Sequence, residues 1–273
     1  MVEHYVKNRG FFVVKLVFVI LLAGLFAFDL WLVVTGQTQA VDDDVLAFFV
    51  GARENALTIV AKAITFCGNT WTMVGLCVFI IVIPGRMKIG LPVSMMIGVA
   101  WFAQTFFKGL IARPRPDMSF WLVEEYTYSF PSGHANTSMV FWVALLVLLG
   151  RVLVLRRNRG AAVLLRVLLA IFALLVGVSR MYLGVHYLSD VVGGWLLAGT
   201  LLIVFFVLYD NVWPQKWRVT YKVQAWGAIP KNAEKKRGWR QPTKKRAPAG
   251  LIKFPKNSTP WKIPRDGKTK GDV

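Results

Sequence analysis

Six apolar runs follow one another along the first 209 residues, at 16–34, 70–83, 89–107, 137–155, 161–178 and 191–209, separated by short polar segments. Most approach the roughly 20 residues that a helix needs to cross the hydrocarbon of a bilayer. The second is short, and an amphipathic approach helix over 57–67 extends it, with Gly68 and Asn69 breaking the two pieces. In lipid only helices and closed barrels satisfy their own backbone groups, so the predicted fold is all-α, a polytopic bundle of six transmembrane helices. A basic start ahead of the first run, with Thr38 and Ala40 after it, imitates a secretory leader. That run exceeds the roughly 7–15 residues of a leader's apolar core, so it is expected to be a retained anchor.

Composition sharpens this picture. Of 273 residues 56% are hydrophobic and 17% charged, and the net charge is +19. The charge is unevenly spread. Residues 214–273 hold 17 basic and 3 acidic residues, leaving 16 against 11 in the preceding 213. A uniformly basic nucleic-acid-binding domain is therefore excluded. Residues 1–213 read as one membrane domain, and 214–273 as a basic, largely disordered tail attracted to anionic inner-leaflet lipids, with nucleic acid an unsupported partner. Cys67 and Cys77 lack metal-site spacing and read as packing residues.

Lys and Arg concentrate on the cytoplasmic side of membrane proteins. With both ends inside, 27 basic residues fall on that side and 6 outside: Arg53, Lys62, Lys108, Arg113, Arg115 and Arg180. Those six need a reason to be there. Lys108 stands at the outer end of the third run, with Arg115-Pro116 seven residues later. Pro131-Ser132-Gly133-His134 opens the fourth run, where the free N–H groups of a helix start favour an anion. Ser179-Arg180 leads to His186 and then to Asp190 at the mouth of the sixth run. If 186–190 is helical, His186 and Asp190 share a face, and the carboxylate holds one ring nitrogen while the other faces outward.

Together these residues make a candidate phosphate site. Lys108, Arg115 and Arg180 supply fixed charge, Ser132 a hydroxyl, and His134 and His186 a pair of titratable groups suited to phosphoryl transfer without a metal or other cofactor.

The three patterns, Lys108 to Pro116, Pro131 to His134 and Ser179 to Asp190, resemble the three signatures of the type 2 phosphatidic acid phosphatase (PAP2) superfamily, in order and without substitution. The resemblance covers roughly residues 40–209. It implies that His186 forms a phospho-histidine, that Asp190 orients it, and that His134 protonates the leaving group and later activates water. Lys108, Arg115, Ser132, Gly133 and Arg180 would bind the phosphate. It further implies a lipid phosphate substrate, undecaprenyl diphosphate or phosphatidylglycerol phosphate first, and an extracytoplasmic site in the cell membrane. A phosphotransferase sharing the site and a non-catalytic binder of anionic headgroups stay open as alternatives.

Other polar residues are read more plainly. Arg113 lies outside the motif and is expected to anchor a helix end at the membrane surface. Asp29, near Trp31, is expected at the interface. Glu124, Glu125, Tyr126 and Tyr128 occupy the outer loop, either solvated or touching a headgroup. His4 is expected at the surface.

Overall fold

The computed structural model describes residues 9–84, 86–152, 159–214 and 218. Among them are eight α-helices and no strands: α1 Arg9–Val34, α2 Gln39–Gly51, α3 Asn55–Phe66, α4 Thr70–Val82, α5 Met87–Ile111, α6 Gly133–Val152, α7 Arg159–Tyr182 and α8 Leu188–Asn211. The all-α expectation holds. His4 and the tail, apart from Pro214 and Arg218, lie outside the described residues.

Helix α6 is the axis of the bundle. It packs against α5, α7 and α8, while α1 lies along α8, α4 along α5 and α3 along α7. The central core includes Met73, Val93, Ala100, Val140, Phe141, Ala144 and Ala198, fully buried side chains drawn from α4, α5, α6 and α8. Small residues let α6 and α8 come close. A Cβ on Gly194 would lie 2.7 Å from the Ser132 carbonyl oxygen, so only glycine lets α8 lie against the turn that opens α6. Helix α1 leaves Phe12, Val17, Ile20 and Phe28 half exposed or more, as a lipid-facing helix does.

Four helices, α1, α5, α7 and α8, are long and apolar enough to cross a membrane, and the pair α3 and α4, bent by 50°, forms a fifth if it is one broken span. The break, 67–69, includes the expected Gly68 and Asn69 and begins one residue earlier, with the Asn69 side chain accepting the Trp71 N–H at 2.9 Å to cap α4. The expected count of six is not reached on length and apolarity. Within α6 the described apolar stretch is Gly133–Leu148, shorter than the other spans.

Helix α2 was not expected at all. The run Asp42-Asp43-Asp44 lies between the first two apolar runs, and these residues form the first turns of a helix that rests on α7 and α8 with Asp42 buried. Negative side chains suit the positive end of a helix. Cys77 is buried in the core and Cys67 partly so, both as free thiols.

Candidate active site

One end of the bundle gathers the C-terminal ends of α5 and α7, the N-terminal ends of α6 and α8, and the loop of residues 112–132. The loop is fastened across the bundle: Leu122 N donates to the Leu183 carbonyl at 3.0 Å and Ser132 N to the Asp190 carbonyl at 2.8 Å. Arg53 adds a clamp, its guanidinium donating to the carbonyls of Phe120 and Tyr182 at 2.6 and 3.2 Å.

His186 sits in the connection between α7 and α8, 1% exposed. Arg115 Nη1 lies 3.1 Å from its Nε2. A guanidinium has only donors, so Nε2 must present its lone pair and the ring proton belongs on Nδ1. Nδ1 is 3.3 Å from Ser129 Oγ and 3.4 Å from Asp190 Oδ2. The Ser129 hydroxyl donates to Asp190 Oδ2, and so bridges ring and carboxylate. Burial first, then the charges of Arg115, Lys108, Arg180 and Arg113, push His186 well below its ordinary value of 6.5. The imidazole is neutral, its Nε2 lone pair accepting from the guanidinium of Arg115.

The conditional helix over 186–190 is absent, since α8 begins at Leu188. Asp190 instead caps that helix. It sits at the third helical position, and its Oδ2 accepts the Tyr187 N–H at 2.8 Å while Oδ1 accepts Arg113 Nη1 at 2.8 Å.

Arg113 is not the surface anchor expected from the sequence. It is 8% exposed, and its second nitrogen donates to Asp42 Oδ2 at 2.8 Å. Asp42 also accepts the Ser189 N–H and hydroxyl at 2.9 and 2.6 Å, tying α2 to the start of α8. Burial opposes the Arg113 charge, but Asp190 and Asp42 outweigh it and hold the guanidinium above its ordinary value.

The other motif residues lie at the same end of the bundle. Arg180, 2% exposed, donates from Nη1 to Thr65 Oγ1 at 2.8 Å, and its Nε has no partner among the described residues. Ser132 is fully buried, and its hydroxyl likewise has no partner among the described residues. Gly133 opens α6, and His134 follows in its first turn. His134 lines a cavity of about 270 Å³ together with Lys62, Thr65, Asn69, Glu125 and Arg180. Arg180, His186, Arg115 and Lys108 all lie near enough for their charges to act on His134. Lys108 is turned towards the loop, donating to the carbonyls of Tyr128 and Ser129. It therefore supports the loop that carries Ser129.

Four residues here were not singled out from the sequence as site residues: Ser129, Arg113, Asp42 and Glu125. Glu125 forms ion pairs with both Arg115 and Arg180, its side chain 18% exposed. Asp29 is buried rather than interfacial, with Oδ2 unpartnered among the described residues. Among those residues no three His, Cys, Asp or Glu side chains are grouped to hold a metal ion.

Comparison with known proteins places the chain in a family. The family model of the PAP2 superfamily matches residues 89–214. The phosphatidylglycerophosphatase B of Bacillus subtilis is 31% identical over 178 residues, which cover 64% of this chain and 84% of that protein. The crystal structure of a transmembrane PAP2 type phosphatidylglycerolphosphate phosphatase from Bacillus subtilis superposes with a TM-score of 0.65 at 26% identity, covering 71% of this chain and 96% of that one. The Aquifex aeolicus LpxE structure shares the fold, with a TM-score of 0.51 at 21% identity over 61% of this chain and 95% of that one. Three motifs converging at one end of a helical bundle, and a relative of this similarity matched over most of its length, make this chain a multi-pass membrane protein of the PAP2 superfamily.

Proposed function

We propose that this protein is a lipid phosphatase that removes the terminal phosphate of a lipid monophosphate or diphosphate through a phospho-histidine intermediate, without a metal ion. The observation that carries the reading is the lone pair of His186 Nε2, held by Arg115 at 3.1 Å and backed by Ser129 and Asp190. A nucleophile needs one nitrogen unprotonated and the other held; Nε2 is unprotonated here, and a phosphate that draws the Arg115 N–H onto its own oxygens would release that lone pair for attack.

In the first step the Nε2 lone pair attacks phosphorus and the bond to the lipid oxygen breaks. His134, in its protonated form, gives its proton to that oxygen. Water then attacks phosphorus, the P–N bond breaks back to His186, and His134 takes the proton from the water. Arg115, Arg180, the Ser132 hydroxyl and the first N–H groups of α6 hold the equatorial oxygens as charge spreads over them. Two buried motif groups without partners among the described residues, Ser132 Oγ and Arg180 Nε, are the kind that a bound phosphate satisfies. The leaving group would depart through the His134 cavity.

The substrate's tail stays in the bilayer. Phosphatidylglycerol phosphate is the first candidate, on the names of the similar Bacillus proteins, with undecaprenyl diphosphate beside it. Lys62 on the cavity wall adds a cation where a second phosphate would sit. We read α6 and the bent α3–α4 pair as the two remaining spans, giving six, with both ends and the tail 214–273 in the cytoplasm, where the tail meets anionic lipid, and the site outside.

The test is phosphate release by purified protein from a panel of lipid phosphates with chelator present. Release from at least one lipid phosphate, with acid-labile labelled phosphate trapped on the wild type and lost in His186→Ala, is expected. Loss of activity in chelator, or labelling that survives His186→Ala, contradicts the mechanism.

A further inference from the structure

The seat assigned above to the substrate's phosphate is bridged by a carboxylate of the chain itself. Glu125 Oε2 accepts from Arg115 Nη2 at 3.2 Å, and Oε1 from Arg180 Nη2. Its position is built. Arg115 is further fixed by the carbonyls of Thr127 and Val185 at 2.6 and 2.7 Å, and Arg180 by Thr65. Neighbouring Glu124 is engaged elsewhere, by the exposed Tyr126 hydroxyl. Glu125 lines the cavity that holds His134, so a phosphate that takes the Nη2 donors of both arginines displaces it.

We propose that Glu125 is a specificity-determining residue that keeps phosphodiester lipids off the site and admits only a terminal phosphate. This inference rests on the functional reading above. The bilayer around the site is itself made of phosphate esters, mostly diesters, each with one charge and two free oxygens. In charge and acceptor count a diester equals a carboxylate, and Glu125 holds its place as a tethered group at high effective concentration. A terminal phosphate carries close to two charges and three free oxygens. It satisfies both guanidiniums and still has an oxygen for the Ser132 hydroxyl. Only the terminal group gains enough to displace the tethered carboxylate.

The experiment compares wild type, Glu125→Gln and Glu125→Ala in micelles of a phosphate-free nonionic detergent, with thermal denaturation to verify folding. Inorganic phosphate binding, which needs no turnover, is expected to tighten on the order of tenfold in both variants, the scale of one lost competing charge-assisted contact. Increasing proportions of phosphatidylinositol, an anionic diester, should leave wild-type turnover of a lipid monophosphate nearly unchanged and inhibit both variants competitively. Equal phosphate affinity in all three proteins, or equal inhibition by phosphatidylinositol, overturns the proposal. So does a fall in kcat at unchanged phosphate affinity, which would place Glu125 in turnover instead. A wild type that releases no phosphate from any lipid takes down the functional reading, while the binding comparison still reports on Glu125.

Discussion

His186 is kept neutral by its surroundings, and this fixes how the rate depends on pH. Its proton affinity is lowered well below the ordinary 6.5 by burial and by four nearby cations. Acidification therefore protonates His186, the proposed nucleophile, only below the usual histidine range. The acid limb of kcat/KM should lie under pH 6.5, and Arg115→Ala, which removes the largest of the charge effects, should move it upward along with a loss of substrate affinity. A limb at or above 6.5 in the wild type would contradict the assigned nucleophile. Lys62 supports a second expectation. Its exchange for alanine should raise KM for a lipid diphosphate more than for a lipid monophosphate, measured with matched tails. The motif residues were legible in the sequence because charged and hydroxyl side chains at the ends of apolar runs stand out against their neighbours. Arg113 and Glu125 were not, because a single cation at a helix end and an acid in an outer loop look the same whether buried or solvated. What decides is the partner, Asp42 or Arg180, each more than 50 residues away.

At the scale of elements, the site depends on two close contacts between helix ends. The first is Gly194 against the Ser132 carbonyl. Gly194→Ala must push the turn at Ser132 away, since the obstructing atom is backbone. A loss of about 1–3 kcal/mol is expected from such overpacking, read by denaturation in detergent, with a larger proportional fall in kcat. The second is α2, docked by Asp42 onto Arg113 and Ser189. Arg113→Ala leaves the Asp42 and Asp190 carboxylates buried without their cation, and a cost of about 3–5 kcal/mol is expected, as for other broken buried pairs. Asp42→Asn should cost less while still slowing turnover. Most helices, α6 among them, were legible from apolar run length alone. Helix α2 escaped because three consecutive aspartates mask its apolar face.

For the whole molecule, the distribution of Lys and Arg was legible and carried the proposed orientation. Labelling tests it directly. In a protein with Cys67 and Cys77 replaced by alanine, a cysteine at Met118, 75% exposed at the site end, should react with an impermeant thiol reagent added to intact cells. One placed at Trp213, at the opposite end of α8, should react only after the membrane is opened. Reversed reactivity would put the site in the cytoplasm and remove the proposed access to an outer-leaflet substrate.

Asp190 holds three chain segments at once: it caps α8, receives Arg113 from beyond α5, and anchors Ser129 of the loop before α6. A heated protein consequently has no easy way to lose its catalytic geometry while keeping its bundle. Inactivation and melting should trace a single curve, and an inhibitor that occupies the pocket should shift both midpoints together.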